Sequence, residues 1–344
     1  MAQSSGRVRV AVDAMGGDYA PAEIVKGAAV AARAGEVEVV LVGQEDAVAE
    51  ELRVQGVPAE LMRCVHAPEV IKEGEAPAVA IRQKRNSSIV VGAKLVRDGE
   101  VDAFVSAGSS GAVAAAAATY IGMVEGMERP TVGGGFSSFA PNIVVMDLGA
   151  NVDCRPHQLL SFAIAGTVYA RTIYGIENPT VGLLSTGSEQ GKGNDAVKEA
   201  FPLLERSGLN FVGNIEGNDI LMGKANVIVC DGFVGNILLK FYESIGDRAK
   251  IWLMGKHPRV KGLVGYVFDR VLPIKKLSYE GEEEGTGILW GINGVVRIAH
   301  GACRADHIVH GINAARKAVE VDIVSSLKRE IALFNNSSKE GAVT

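Results

Sequence analysis

Short β-branched runs recur along the chain, and nearly every one empties into a turn rich in glycine and small polar residues before a helical pattern begins. Val8–Val12 leads into Asp13-Ala-Met-Gly-Gly-Asp18, with Pro21 where a first helical residue is favoured. Val37–Val42 ends at Gly43, and the spacing predicts a helix from Glu45. Ala103–Val105 leads into Ser106-Ala-Gly-Ser-Ser-Gly111 and an alanine-rich helix. Asn142–Met146 leads into Asp147-Leu-Gly-Ala-Asn-Val-Asp153, with a helix from about Pro156. Val181–Leu184 leads into Ser185-Thr-Gly-Ser-Glu-Gln-Gly-Lys-Gly-Asn-Asp195. Val227–Val229 leads into Cys230-Asp-Gly-Phe-Val-Gly-Asn236 and a long helix. Strands alternating with helices predict an α/β fold with a mostly parallel sheet and right-handed crossovers. In such a sheet the strand-to-helix turns share one edge, where ligands bind. Five elaborate turns, where two or three residues would suffice, are therefore expected to gather around one site.

Two further segments complete the layout. Ile308, Ile312, Ala315, Val319, Ile323 and Leu327 fall at helical spacing and mark a packed helix. Residues 255–287 break the rhythm with glycines, basic residues and the acidic run Glu282-Glu283-Glu284, which reads as a solvated loop. The expected organisation is one α/β domain over residues 1–333, with a protruding helical segment near 250–277 and a frayed tail over 334–344.

Composition narrows the class. The chain has 344 residues, 47% apolar but only 6% aromatic, so its core must come from Val, Ile, Leu and Ala, as in a buried parallel sheet. A net charge of −5 excludes a general nucleic-acid binder, which would need a basic footprint. The four cysteines, Cys64, Cys154, Cys230 and Cys303, form no CxxC pair, so neither a zinc site nor a disulfide framework is signalled. Reduced thiols in the cytoplasm are the expectation. The polar start, Met1 to Gly6, does not read as a signal peptide. The longest apolar stretch, Ala112–Val124, is well short of the roughly 20 residues a membrane span needs.

Glycine-rich turns at helix starts present unpaired main-chain N–H groups to anions. Asp13, Gly16, Gly17 and Asp18 in one turn, and Ser106, Gly108, Ser109, Ser110 and Gly111 in another, are candidates to bind phosphate. Neither turn matches the P-loop or the dinucleotide fingerprint. The turn from Gly187 to Asp195 adds a cation. Lys192, between Gly191 and Gly193, has room to swing toward a bound phosphate or a tetrahedral oxyanion, the alternative being a solvent-facing loop lysine. Asn151, Asn194 and Asn236 each sit in such a turn, as turn formers or as ligand-facing amides. Asp13, Asp18, Asp153 and Asp231 at strand ends would repel phosphate unless paired with cations or used to orient donors. Their scatter over separate loops gives no metal spacing, so no metal is expected. Cys154 with His157 is a weak thiol candidate, and His300 before Gly301 is the better acid–base candidate, with a structural histidine as its alternative.

These motifs, in this order, resemble the phosphate acyltransferase family of bacterial phospholipid synthesis (PlsX). The resemblance rests on Val10-Ala-Val-Asp-Ala-Met-Gly-Gly-Asp18, Ala103-Phe-Val-Ser-Ala-Gly108, Asp147-Leu-Gly-Ala-Asn-Val-Asp-Cys154, Val229-Cys-Asp-Gly-Phe-Val-Gly-Asn236 and Ala299-His-Gly301. It spans residues 8 to about 318 and implies a dimeric, Rossmann-like three-layer α/β/α enzyme. Such an enzyme makes acyl phosphate from acyl carrier protein thioester and inorganic phosphate, and a membrane acyltransferase then passes the acyl group to glycerol 3-phosphate. Ser109-Ser110 stands where Asn-Thr is common, and Ser185-Thr-Gly-Ser-Glu-Gln where Asn-Ile-Gly and acidic residues are usual. Lys192-Gly193-Asn194 is retained.

Lys192, Asn194 and His300 are the candidate catalytic residues. Substrate binding falls to the turns already named, with Asn151, Asp153, Gly187, Gly193, Asp231, Gly232 and Asn236. No cofactor and no nucleic acid are expected. Because phosphate is the nucleophile and a thiolate the leaving group, the site needs binding, alignment and oxyanion donors rather than an activated protein nucleophile. Carrier protein is acidic as a family, so Arg82, Lys84 and Arg85 are the candidate dock, with a solvated charge face as the alternative. An acyl phosphate with a long tail favours peripheral membrane contact. Val260, Leu263, Val264 and Val267, beside Lys250, Lys256, Arg259 and Lys261, are the candidate tip, with packing at a dimer interface or on the core as its alternative. A phosphotransacetylase or dehydrogenase on a related fold, and a non-catalytic ligand-binding protein, are the competing classes.

Overall fold

The branched runs form strands because such side chains pack well on a pleated surface, while the glycines after them let the chain turn back. In this computed structural model the chain is described over residues 6–136, 142–256 and 286–340. It opens with β1 (Val8–Asp13), α1 (Ala22–Ala34), β2 (Val37–Gly43), α2 (Glu45–Val54), β3 (Arg63–His66), α3 (Pro77–Gln83), α4 (Ser88–Arg97), β4 (Ala103–Ser106) and α5 (Ser110–Ala116). There follow β5 (Thr131–Gly135), β6 (Val144–Met146), α6 (Pro156–Thr172), β7 (Thr180–Leu184), α7 (Asp195–Glu205), β8 (Asn210–Ile215), α8 (Asp219–Met222), β9 (Val227–Val229) and α9 (Gly232–Lys256). After the gap come β10 (Thr286–Trp290), β11 (Val295–Ala299), α10 (Ala305–Glu320) and α11 (Ile323–Glu340). The chain read as one domain divides into two compact units, Met1–Val132 with Glu284–Asn335, and Gly133–Glu283 with Asn336–Thr344.

In the first unit the strand order is β3-β2-β1-β4-β11-β10, parallel except for the antiparallel β10–β11 pair. Alternation assigns each strand residue to one face. Ala11, Val40, Phe104 and Val296 meet α4 and α5 through Ile89, Val90, Ala93 and Val113. The opposite face is covered by α1 and α10. Those two helices approach closely because Gly27 lies against the Ala305 carbonyl and Ile308, leaving no room for a Cβ.

In the second unit the order is β5-β6-β9-β7-β8, parallel except for β5–β6. Val145, Leu184, Ile215 and Ile228 pack beneath Val234, Leu238, Leu239 and Tyr242 of α9. The other face lies under α6, where Gly166 sits on Val227 and Met146. Both units are therefore mostly parallel sheets with helices on both sides, an α/β fold.

β1, β2, β4 and β9 begin where expected and α6 begins at Pro156, but β6 begins at Val144 rather than Asn142, whose φ of 71° takes it out of the strand, and β7 begins one residue early at Thr180. The helix α11 runs on to Glu340, through residues read from sequence as a tail, because no glycine or proline interrupts it before Gly341. Among the described residues no helix is long and apolar enough to cross a membrane.

Candidate active site

In the first unit, β1, β4 and β11 are parallel neighbours, so the turns that follow them meet at one edge. Asp13, at the end of β1, is 1% exposed and does not face solvent. Its Oδ2 accepts a hydrogen bond from Ser106 Oγ at 2.7 Å, and its Oδ1 accepts from the Met15 amide at 3.0 Å. Ser106 Oγ also accepts from the Gly108 amide at 3.1 Å. Burial raises the Asp13 pKa above the ordinary carboxylate value, against opposing hydrogen bonds from Ser106, Ser88, Met15 and Gly16. Asp13 and Ser106 therefore fasten two glycine turns together. A Cβ on Gly16 would lie 2.5 Å from both the Gly108 nitrogen and Asp13 Oδ2, so glycine is required for the approach.

Gly17 adopts a φ of 100°, open to glycine and rarely to other residues. The Asp18 amide then donates to the Gly301 carbonyl at 2.8 Å, joining the β1 turn to the β11 turn. Asp18 itself is exposed, as is His300. The His300 Nδ1 accepts from the Ala302 amide at 3.2 Å, so the neutral ring carries its proton on Nε2 and presents a donor there. The Arg304 guanidinium stacks 3.3 Å from the centre of the Tyr19 ring. Ser109 is half-buried and makes no side-chain cap bond, while Ser110 and Gly111 are exposed at the start of α5.

In the second unit, β6, β9 and β7 are parallel neighbours, and their three turns form a second edge. Asp147, fully buried, holds the first turn. Its Oδ1 accepts from the Gly149 and Ala150 amides at 3.0 and 2.9 Å, and its Oδ2 from the Asn151 amide and Asn151 Nδ2 at 2.8 and 2.7 Å. The Asn151 side chain is thus drawn inward, while the main-chain carbonyl of Asn151 accepts from the Gly232 amide at 2.7 Å. Gly232 and Gly235 let the start of α9 lie on this turn; a Cβ on Gly235 would collide with the Asp147 carbonyl oxygen. Asp231 Oδ1 accepts from the Val234 amide at 2.8 Å and caps α9. Asn236 is exposed and packs beside Gly149, and Asp153 is exposed.

The third turn carries Lys192. Asn194 Oδ1 accepts from the Val197 amide at 2.9 Å and caps α7, so the asparagine serves first as a helix cap. Gly193, at a φ of 101°, comes close to Ser185 Oγ and Val197, where a side chain would not fit. Gly187 is buried against the Lys192 stem. Lys192 is exposed, and among the described residues its ammonium has no ion-pair partner.

The remaining candidates divide. Lys84 is committed locally, its Nζ pairing with Glu75 at 2.6 Å and donating to the Val70 carbonyl at 2.9 Å. Arg82 and Arg85 stay exposed, with Arg85 Nε donating to the Arg82 carbonyl at 3.2 Å. Val260, Leu263, Val264 and Val267, and the acidic run at 282–284, lie outside the described residues. Cys154 is half-buried and donates to the Asn151 carbonyl at 3.4 Å. Burial pushes the Cys230 thiol well up, and lifts Cys303 to about 11, helped by Asp18. Neither is a thiolate at neutral pH. Among the described residues no group of three or more His, Cys, Asp or Glu side chains is placed to hold a metal ion.

Three residues the sequence reading passed over carry weight. Asp147 organises the second unit's first turn, Ser88 contributes to Asp13, and Asn214 holds the Lys192 turn. Asp147 was visible as a strand-end acid; Ser88 sits in ordinary helix sequence, and Asn214 in a polar, glycine-bulged segment that does not read as a strand, so neither gave a signal.

Residues 8–326 match the family described as "Fatty acid synthesis protein". A phosphate acyltransferase from Pelotomaculum thermopropionicum is 43% identical over 338 residues, covering 94% of this chain and 95% of the relative. One from Gloeothece citriformis is 42% identical over 332 residues, covering 94% of each. Among solved structures, a phosphotransacetylase from Streptococcus pyogenes superposes with a TM-score of 0.60 at 18% identity, covering 95% of this chain and 94% of that one. A 4-hydroxythreonine-4-phosphate dehydrogenase from Klebsiella pneumoniae gives 0.54 at 14% identity, covering 90% and 98%. At those identities the structures establish a shared fold.

Proposed function

From the premise that the chain belongs to the phosphate acyltransferase family, and so is an acyltransferase acting on phosphate, we propose that its donor is a fatty acyl thioester of acyl carrier protein and that its acyl phosphate feeds phospholipid synthesis. A phosphate oxygen attacks the thioester carbonyl carbon, a tetrahedral oxyanion forms, the C–S bond breaks, and the carrier thiolate leaves and takes up a proton. The thiolate leaves readily, so the protein need only bind phosphate and stabilise the oxyanion.

The observation that carries this reading is Lys192, an exposed cation with no ion-pair partner among the described residues, on a glycine-flanked turn at a parallel-sheet edge. An ammonium there suits either the phosphate or the oxyanion. In the first unit, taken by itself, the Gly16–Asp18 and Ser106–Gly111 turns are the candidate anion-binding turns and His300 the acid–base candidate, with the Gly16, Gly108 and Asp18 amides already engaged by Asp13, Ser106 and the Gly301 carbonyl. Asp13, Asp147, Asn151, Asp231 and Asn194 act by shaping these turns.

The reading extends to partners. A product with a long apolar tail favours a cytoplasmic enzyme with peripheral contact to the membrane, which hands the acyl group to a membrane glycerol-3-phosphate acyltransferase. Segment 250–277 is the assigned contact, through Val260, Leu263, Val264 and Val267. The homodimer finds support in α9, where Phe233, Ile237, Phe241 and Ile245 recur every fourth residue and are 43 to 65% exposed. A second copy would cover that apolar stripe.

Incubation of the protein with acyl carrier protein thioester and inorganic phosphate should yield acyl phosphate, trapped as the hydroxamate, and free carrier thiol in equal amounts. Faster turnover of acetyl-coenzyme A than of the long-chain carrier thioester would replace this reading with a short-chain phosphotransacetylase. No acyl phosphate from either donor would remove catalysis by this site.

A further inference from the structure

The turn that carries Lys192 is held from below by a residue on the neighbouring strand. Strands β7 and β8 pair Val181 with Phe211 but Leu183 with Asn214, so β8 contains one extra residue between the two pairs. Gly213, with a φ of 89°, supplies this bulge. Bulges re-aim the side chain that follows, and they occur beside functional sites. Here the side chain re-aimed is Asn214, which is 3% exposed. Its Nδ2 donates to the Glu189 carbonyl oxygen at 2.8 Å, and the Lys192 amide donates to that same oxygen at 3.0 Å.

The amide orientation follows from chemistry: a carbonyl oxygen only accepts, so the asparagine must turn its nitrogen toward Glu189. Asn214 Oδ1 is left without a hydrogen bond among the described residues. A buried amide satisfied on one side only is an expensive occupant of a strand, and an apolar residue would be cheaper. What the asparagine secures is one bond, to the peptide that fixes the backbone of Lys192.

We propose that Asn214 is a positioning residue for Lys192, holding the Ser185–Asp195 turn so that the ammonium is presented at the sheet edge. The proposal rests on the reading of Lys192 as a catalytic group. The β8 main chain adds a second tie, since the Ser185 amide donates to the Ile215 carbonyl at 2.9 Å. Losing Asn214 should therefore loosen the lysine rather than unfold the turn.

A double-mutant cycle tests this, reading turnover of the carrier thioester together with the melting temperature. Lys192→Ala should lower turnover roughly 10²–10³-fold, the loss typical of one oxyanion-type donor. Asn214→Asp keeps the shape but replaces the donor with a carboxylate. It should lower turnover about tenfold, and by less than about twofold when Lys192 is already alanine, because coupled residues are not additive. A merely structural asparagine would cost the same factor in both backgrounds, and that additivity would overturn the proposal. So would an Asn214→Asp enzyme of wild-type turnover while Lys192→Ala is impaired. Wild-type turnover in folded Lys192→Ala would instead remove the lysine assignment, and the positioning role with it. If Asn214→Asp does not fold, Asn214→Ser, a neutral donor too short to reach Glu189, carries the same comparison.

Discussion

Asp13 shows how a buried strand-end carboxyl group can hold two glycine turns together from within. Its carboxyl group is buried, and the bonds from Ser106 and the Met15 amide turn it inward. Because burial raises its folded-state pKa, the native protein holds the Asp13 proton more tightly than the unfolded chain does. That contribution to stability is fully present below the ordinary carboxylate pKa and is lost as pH rises through the raised folded value. Asp13→Asn removes the titration and leaves an amide that can donate to Ser106 Oγ and accept from Met15. The melting temperature of the variant, relative to wild type, should therefore climb as pH increases from below 4 toward neutrality. A difference that stays flat with pH would mean that Asp13 is not a buried titrating group. The position of Asp13 at a strand end was legible in the sequence, but its orientation was not. That orientation is set by Ser106, 93 residues away, and no local pattern encodes such a partner. Asn194 and Asp231 proved more local: each caps the helix that begins beside it, a role consistent with their residue type and place.

At the scale of elements, the glycines decide how closely turns and helices approach. Gly235 lies in the first turn of α9, where alanine would be the better helix former by about 1 kcal/mol. Yet its Cβ would collide with the Asp147 carbonyl oxygen, a backbone atom that cannot swing aside. Overpacking of this kind costs typically 1–3 kcal/mol, so steric conflict should outweigh propensity. Gly235→Ala should lower the melting temperature and weaken turnover by shifting the Asp147 turn. Gly217→Ala, where nothing lies within 4 Å of the added methyl, should do neither. Equal melting temperatures for the two variants would show that α9 can move away without cost. The strands that led into special turns were readable because β-branched runs and glycine punctuation coincide there. β5 escaped because its sequence, Thr-Val-Gly-Gly-Gly, has little strand propensity, and Gly133 is there to accommodate Met146 across the pair. β8 escaped because its polar residues and Gly213 bulge break the alternation that marks a strand.

For the whole molecule, the same strand–turn–helix rhythm runs through both compact units, so the division between them left no mark in the pattern. Charge is similarly uninformative when summed. A net −5 would repel the acidic carrier protein proposed as donor at long range, so a productive encounter with it would require a local cationic surface. The sequence grouped Arg82, Lys84 and Arg85, but the fold separates them. α3 ends at Gln83, and the Lys84 ammonium is half-buried against Glu75, whereas Arg82 and Arg85 remain exposed. Reversing Lys84 would break a local ion pair and confuse docking with folding, so the informative variant is Arg82→Glu with Arg85→Glu. Rim charges act chiefly on association and are screened by salt. The double variant should therefore raise the KM for the carrier thioester several-fold at low ionic strength, with kcat and the KM for phosphate unchanged. The difference should shrink as salt shortens the Debye length from about 30 Å at 0.01 M to about 3 Å at 1 M. A carrier KM equal to wild type at low salt would place the dock on another surface. A rise that persists at high salt would mean that the two arginines contribute contact rather than field.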